Sequence, residues 1–260
     1  MWPNNKSCAM VISFDFDAEE VWIGEDPNNI NRPGVLSQGT YGAKVGVGLV
    51  LDLLDELELP ATFFIPGKVA EAHPDRVRQI VQAGHEIAHH GYTHTSPTML
   101  TAEEEEAELI KGRQVLETFG TEVVGYRSPS WEVTPHTFDL LVKHGFKYSS
   151  SMMDDINVYR HATHPIVELP VHWILDDAPH FWFDGGTTWN KTIRTPEEVE
   201  QLWRGEFTGI RELGGMIMLT MHPQVIGRPG RLAMLKRFLI WAKSFDDVWF
   251  AQAREVATKV

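Results

Sequence analysis

The chain has 260 residues, 43% of them hydrophobic, and one cysteine, Cys8, so a large core is available and no intrachain disulfide framework is possible. The net charge of −13, from 36 acidic against 23 basic residues with no basic stripe, argues against a nucleic-acid partner. No segment approaches the roughly 20 apolar residues of a membrane span.

The start, MWPNNKSCAMVISFDFD, has one lysine and a short apolar run that ends in acids. That is not a signal-peptide pattern, and a cytoplasmic protein is the expectation. CAMVISFDFD is β-branched and aromatic and predicts a buried strand, with Cys8 as a small buried hydrophobe. KVGVGLVLDLLDELE has apolar residues at helical spacing before Pro60. ATFFIP reads as a strand, and HPDRVRQIVQAG as a helix with Pro74 near its start and Gly84 at its end. Thr101 and Glu104 have the spacing of a capping box and open a helix that closes at Gly120. VVGY predicts a strand, TPHTFDLLVKHG a helix and IVELPV a strand. A capped helix from Thr195, the strand GMIMLTMH, a helix over RPGRLAMLKRFLIWAKS and a short strand DDVWF complete the order. This alternation predicts a parallel sheet with crossover helices, and the length suits a single barrel-like domain over residues 1–260. The stretches Ala18–Tyr41 and Met152–Asn190 are expected to be long irregular loops near the mouth, the second rich in aromatics that include Trp173, Phe183 and Trp189.

The segment AGHEIAHHGYTHTSP contains His85, His89, His90 and His94. His85-Glu86-Ile87-Ala88-His89 fits H-E-x-x-H, the zinc-protease signature, which requires a helix. Gly84 and Gly91 leave no room for a stable one, and HEIA reads better as a strand. His90 and His94 then follow a strand, where a parallel barrel places its active-site loops. FDFD sets Asp15 and Asp17 two apart at the end of the first strand, on one face. Arg127 follows a middle strand and His222 a late one. Four ionisable clusters at one end of one sheet predict a site.

SFDFDAE, HGYTH, RSPSW and LTMHP, in that order, resemble four motifs of the polysaccharide deacetylase family, the NodB-homology domain or carbohydrate esterase family 4. The resemblance implies a distorted (β/α) barrel of seven strands. It implies Asp15 as catalytic base, Asp17, His90 and His94 as metal ligands, Arg127 as partner of the base and His222 as general acid. GHEIAHHGYTH, LDDAPHFWF and MHPQVIGRPGR resemble an intracellular branch that includes allantoinase-like proteins, cyclic imide hydrolases and a tetrameric peptidoglycan-deacetylase-like protein. In that branch an aspartate of the LDD segment assists the last histidine, here Asp176, and a homo-oligomer, a tetramer by resemblance, is expected. The adjacent Asp-Asp of the secreted deacetylases is absent, as is a clear D-x-x-D-W motif, and Gly91 stands after the first metal histidine.

One carboxylate and two imidazoles leave open coordination positions, as a catalytic zinc site requires. The same set can hold Fe, Co, Ni or Mn. Trp131, Phe181, Trp182 and His180 are expected to wall the substrate pocket. These residues fit hydrolysis of a non-peptide C–N bond in a small molecule or saccharide, and the family resemblance implies N-deacetylation of an amino sugar. The alternatives are a cyclic imide or ureide substrate, and a non-catalytic carbohydrate-binding barrel.

Overall fold

In the computed structural model, which describes residues 2–183 and 191–260, every residue of β1 (Cys8–Asp15) is buried. Its side chains alternate between two apolar layers. Met10, Ile12 and Phe14 pack outward under the helices, whereas Ala9 and Val11 pack inward with Phe64, Ala88, Tyr148, Met216 and Met218. A strand covered on both faces needs a nearly continuous hydrophobic run, and CAMVISF supplies it.

The other strands are β2 (Thr62–Ile65), β3 (Glu86–His89), β4 (Gly125–Tyr126), β5 (Tyr148–Ser149), β6 (Tyr159–Arg160), β7 (Val167–Glu168), β8 (Met216–Met221) and β9 (Val248–Ala251). They form a path β6-β7-β5-β4-β3-β2-β1-β8, parallel except for the antiparallel β6–β7 pair. β8 runs along one edge of β1. On the other edge β9 pairs with Cys8–Val11 and β2 with Ser13–Asp15, end to end. β6 and β8 do not meet, so the sheet is a curled half-barrel. The expected seven strands become nine among the described residues. The excess comes from β9 sharing an edge with β2 and from two-residue pairings such as β6–β7, too short to leave a periodic pattern.

The helix Val47–Leu57 buries Val47, Val50, Leu53, Leu54 and Leu57 at three- and four-residue spacing. Ala102–Glu117 and Pro196–Leu213 open with complete capping boxes, Thr101 with Glu104 and Thr195 with Glu198. The expected loop from Ala18 to Tyr41 is largely helical instead, with turns at Glu20–Glu25, Pro27–Asn31 and Pro33–Tyr41. The last runs through a π-helical turn, Gly42–Gly46, into Val47–Leu57. Its glycines and polar faces hid it from a periodicity search, but they let it sit close to its neighbours. A Cβ on Gly46 would lie 2.2 Å from the Pro223 carbonyl oxygen, so this helix rests directly on the turn that follows β8. Of the expected loop Met152–Asn190, residues 184–190 with Trp189 lie outside the described residues, and the rest carries β6, β7 and the short helices Trp173–Leu175 and Ala178–Phe181 between irregular stretches.

Candidate metal and active site

All the strands that deliver the site end at the same rim of the sheet. β3 points Ala88 into the inner layer and Ile87 into the outer one, so His85 and His89 share the outward face. The H-E-x-x-H stretch is therefore a strand, and its two histidines do not converge on a metal. His89 packs against Tyr126 and Phe146, at ring separations of 5.5 and 5.6 Å, and its Nδ1 accepts from the Gly91 N–H. Burial pushes His89 down to about 3, so it stays neutral.

His90, one residue past β3, points the opposite way. Its Nε2 lies 3.5 Å from Asp17 Oδ1 and 3.8 Å from Asp15 Oδ2. Its Nδ1 sits 2.8 Å from the Arg127 carbonyl, which as an acceptor fixes the proton there and leaves Nε2 as a free lone pair. His94 Nε2 is 3.7 Å from Asp17 Oδ1. Between them, Gly91 at φ +75° and His94 at φ +55° tighten the loop, and Glu108 Oε2 accepts from the Tyr92 and Thr93 N–H groups at 2.8 Å each. Ala18, next to Asp17, and Ser130 and Trp131, which line the adjoining cavity, also have positive φ, and such strained positions cluster at functional sites.

Four observations fit this trio to a divalent cation. Asp17 is fully buried, yet neither of its oxygens has a hydrogen-bond partner. Burial, with the charges of Asp15, Asp176 and Asp177, pushes Asp17 up to about 8 against the opposing His222, a cost that a cation would reverse. Burial also lowers both His90 and His94, which favours the neutral imidazoles that a metal requires. One atom from each of Asp17, His90 and His94 lies within 4.8 Å of the others.

Asp15 sits beside the trio and is held on its far side. Arg127, itself fully buried, donates from Nη1 to Asp15 Oδ1 at 2.6 Å. The same guanidinium donates to Ser13 Oγ, the Ser150 carbonyl and Ser150 Oγ, and stacks 3.9 Å above Phe64. Burial opposes ionisation of Asp15, but Arg127, His90 and His222 outweigh it and hold the carboxyl below its usual range. Asp15 is thus a carboxylate with one oxygen anchored and the other facing the histidines.

His222 closes the opposite side, with Nε2 3.6 Å from Asp17 Oδ2. Its orienting carboxylate differs from the expectation. Asp177, not Asp176, meets His222 Nδ1 at 2.7 Å and also accepts the His222 backbone N–H. Asp176 Oδ1 is 3.8 Å away and accepts from Ala178 N. The two aspartates are adjacent, and pairing of this stretch with Thr220, by the parallel bridge from Asp176 and the Asp177 N–H to the Thr220 carbonyl, accompanies the turn of Asp177 toward His222. Burial opposes the imidazolium, but Asp177, Asp176 and Asp17 raise His222 well above the ordinary histidine range.

Asp15, Asp17, His90, His94, Asp176 and His222 line a cavity of about 310 Å³. Trp131 and Trp182 line it as expected. Trp131 stacks on Trp173 at 4.2 Å, and Trp182 on Trp22 at 4.7 Å. His180 and Phe181 do not line it. His180 Nε2 is tied to the Ile174 carbonyl at 3.0 Å, and Phe181 is buried in the core, because the short helix Ala178–Phe181 turns both away from the cavity. Trp173 and Asp177 were missed as site residues. Each stood inside a stretch already singled out, but nothing in its own spacing set it apart.

The polysaccharide deacetylase family model matches residues 42–149. The peptidoglycan deacetylase of Helicobacter pylori is 30% identical over 97% of this chain and 96% of its own length. A Mycobacterium smegmatis protein, assigned as a polysaccharide deacetylase and solved by crystallography, superposes with a TM-score of 0.97 at 42% identity, over 100% of this chain and 92% of its own. Puue allantoinase shares the fold at a TM-score of 0.85 and 24% identity, over 99% of this chain and 91% of its own. A buried carboxylate–arginine pair, a histidine raised by neighbouring aspartates and a carboxylate–imidazole trio at one rim, on a chain related along its whole length to these proteins, lead to one assignment: it belongs to the polysaccharide deacetylase family, hydrolases of carbon–nitrogen bonds other than peptide bonds.

Proposed function

We propose that the chain is a metal-dependent N-deacetylase of an N-acetylated amino sugar or a related small amide. The observation that carries this reading is the buried, unpartnered carboxylate of Asp17 facing the neutral Nε2 atoms of His90 and His94. A divalent cation, zinc first, held by Asp17, His90 and His94 would supply the Lewis acidity that polarises an amide carbonyl and acidifies water.

The chain's own residues do the rest. Asp15, kept ionised and fixed by Arg127, takes the proton from the attacking water at Oδ2. His222, kept charged by Asp177, gives the Nε2 proton to the departing nitrogen. Asp15 lies beside His90, which faces Asp17 Oδ1, whereas His222 faces Asp17 Oδ2, so separate groups can serve the incoming and leaving atoms. Trp131 with Trp173 and Trp182 with Trp22 form apolar walls that position a ring and exclude water. A cavity of about 310 Å³ is at the small end for ligand pockets and suits one ring.

The test is a panel of acetylated amino sugars against cyclic imides and ureides with metal-loaded protein. Release of acetate from an amino sugar is the expected result. Turnover of the imide or ureide alone would move the substrate to that class, and binding without turnover of any would leave a carbohydrate-binding barrel. Independently of activity, His90→Ala should empty the metal site while His85→Ala keeps it, read by metal analysis of the purified proteins. Full metal content in His90→Ala would refute the ligand set.

A further inference from the structure

Behind the Trp22–Trp182 wall lies a second cavity, of about 300 Å³. Its lining includes Trp22, Phe181, Trp182, Gln224, Arg228 and Arg231. It is distinct from the catalytic cavity, to which only Trp182 is common among the described residues. Its polar groups have no use in the proposed chemistry.

Two guanidinium groups line this cavity and no carboxylate does, among the described residues, in a chain whose net charge is −13. Neither Arg228 nor Arg231 has an ion pair with a described residue; Arg228 lies 3.7 Å over the Tyr41 ring and Arg231 4.7 Å over Phe181. Among the described residues Arg231 donates to two neutral backbone carbonyls and to no carboxylate, at 3.1 Å to Val225 and at a long 3.4 Å to Phe181. Burial, assisted by the charge of Arg228 and opposed by Asp177, lowers Arg231 from its usual range, so the guanidinium is short of anionic company.

Two further donors are orphaned at the same place. Gln224 is 4% exposed and neither atom of its side-chain amide has a partner among the described residues. Trp22 is 2% exposed and its indole Nε1–H has none among them. A buried polar group left unpaired costs on the order of 1–3 kcal/mol, and two of them on one cavity wall call for a shared partner. The π-helical turn at Gly42–Gly46 packs against this wall, with a Cβ on Gly42 coming within 3.0 Å of Gln224. Such turns recur at functional sites.

We propose that this cavity is a second binding site, for an oxyanion group (a carboxylate or phosphate) of a small molecule, held by Arg228, Arg231, the Gln224 amide and the Trp22 indole. Guanidinium groups bind such anions through paired, charge-assisted hydrogen bonds, and an amide and an indole N–H complete the donor set. Gln224 is two residues from His222 on one turn, so the occupant rests on the segment that carries the proposed acid. The site does not depend on the catalytic reading.

Equilibrium dialysis of the whole chain with labelled inorganic phosphate tests it. Saturable binding is expected, weakened tenfold or more by Arg228→Gln and by Arg231→Gln, the usual effect of losing one charged hydrogen bond. His90→Ala, which disables the metal site, should bind phosphate as the wild type does. Unchanged affinity in the arginine variants, or binding that disappears in His90→Ala, overturns the proposal. Arg228 is exposed, so its variant keeps the test decisive if Arg231→Gln fails to fold. Paired amide substrates differing by one carboxylate then separate the sources of the anion. A rise in KM in Arg228→Gln for the carboxylated member alone identifies an anion borne by the substrate, and unchanged KM for both identifies a separate ligand.

Discussion

Gly46→Ala should unfold the seat of His222 before it affects anything else. The added Cβ would lie 2.2 Å from the Pro223 carbonyl oxygen and 2.8 Å from its carbon, both of them backbone atoms. Ordinary carbon contacts begin near 3.5 Å, so the helix and the turn must part by about an ångström or more. Overpacking of this kind costs about 1–3 kcal/mol, and exchanging a helical glycine for alanine returns at most about 1. With the full gain subtracted, the net loss reaches about 2 kcal/mol, which for a chain of this size lowers Tm by up to roughly 8 °C. Gly48 is the internal control. A Cβ there meets only Arg76 Nη1, at 3.7 Å, the far end of a flexible side chain. Gly48→Ala therefore gains helix propensity without a clash and should raise Tm by a few degrees. Thermal melts followed by circular dichroism read both variants side by side. Turnover should fall in Gly46→Ala, because Pro223 directly follows His222, and hold in Gly48→Ala. If Gly46→Ala melts at or above the wild type, the close approach of helix to turn is not what the geometry says.

Asp15→Asn should retain its metal and lose on the order of 10²-fold or more in rate, the usual contribution of a positioned base; near-normal turnover would remove Asp15 from that role. Asp177→Asn should cost more turnover than Asp176→Asn, since Asp177 holds the 2.7 Å bond to His222 Nδ1, and the reverse order in steady-state kinetics would return the orienting role to Asp176. Burial pushes the Cys8 thiol up to about 11, with Asp247 adding to the shift and Arg211 opposing it. Only the thiolate is reactive, and at pH 8 roughly one in 1,000 is ionised. Iodoacetamide at pH 8 should leave Cys8 unmodified in the native protein and alkylate it after unfolding, as read by intact-mass spectrometry; rapid native labelling would contradict its burial.

The parts of the molecule that were legible in the sequence are those with a strong period or a strict local chemistry. β1, β8 and the helices Val47–Leu57 and Pro196–Leu213 carry apolar repeats or capping boxes that permit one reading each. The convergence of Asp15, Asp17, His90, His94, Arg127 and His222 followed from their common place at strand ends in a parallel sheet. What escaped depends on tertiary contact. The helical turns between Glu20 and Tyr41 are held by neighbours rather than by an apolar stripe, as Gly24 against the His94 carbonyl and Gly39 against that of Ala18 illustrate. The exchange of Asp176 for Asp177 is a rotation of one residue on the chain, accompanied by pairing with Thr220 from a strand some forty residues later. His180 and Phe181 look like pocket residues in sequence because they adjoin Trp182, yet a single helical turn divides them from it.

The pairing of β1 has a consequence for biosynthesis. β1 is complete once Asp15 has been made, but the strand along one of its edges begins at Met216 and the one beside its first half at Val248. With translation at about 5–20 residues per second, roughly 200 residues separate β1 from β8, a delay of about 10–40 s. Throughout that interval an eight-residue strand with no charge before Asp15 has one edge unpaired along its whole length. Such an edge is a template for pairing with another chain. The nascent protein therefore passes through a sticky stage set by the length of its own message rather than by any slow chemical step. Chains released short of β8 should precipitate, slower translation should lower the soluble yield, and a holdase that shields the apolar amino-terminal strand should restore it.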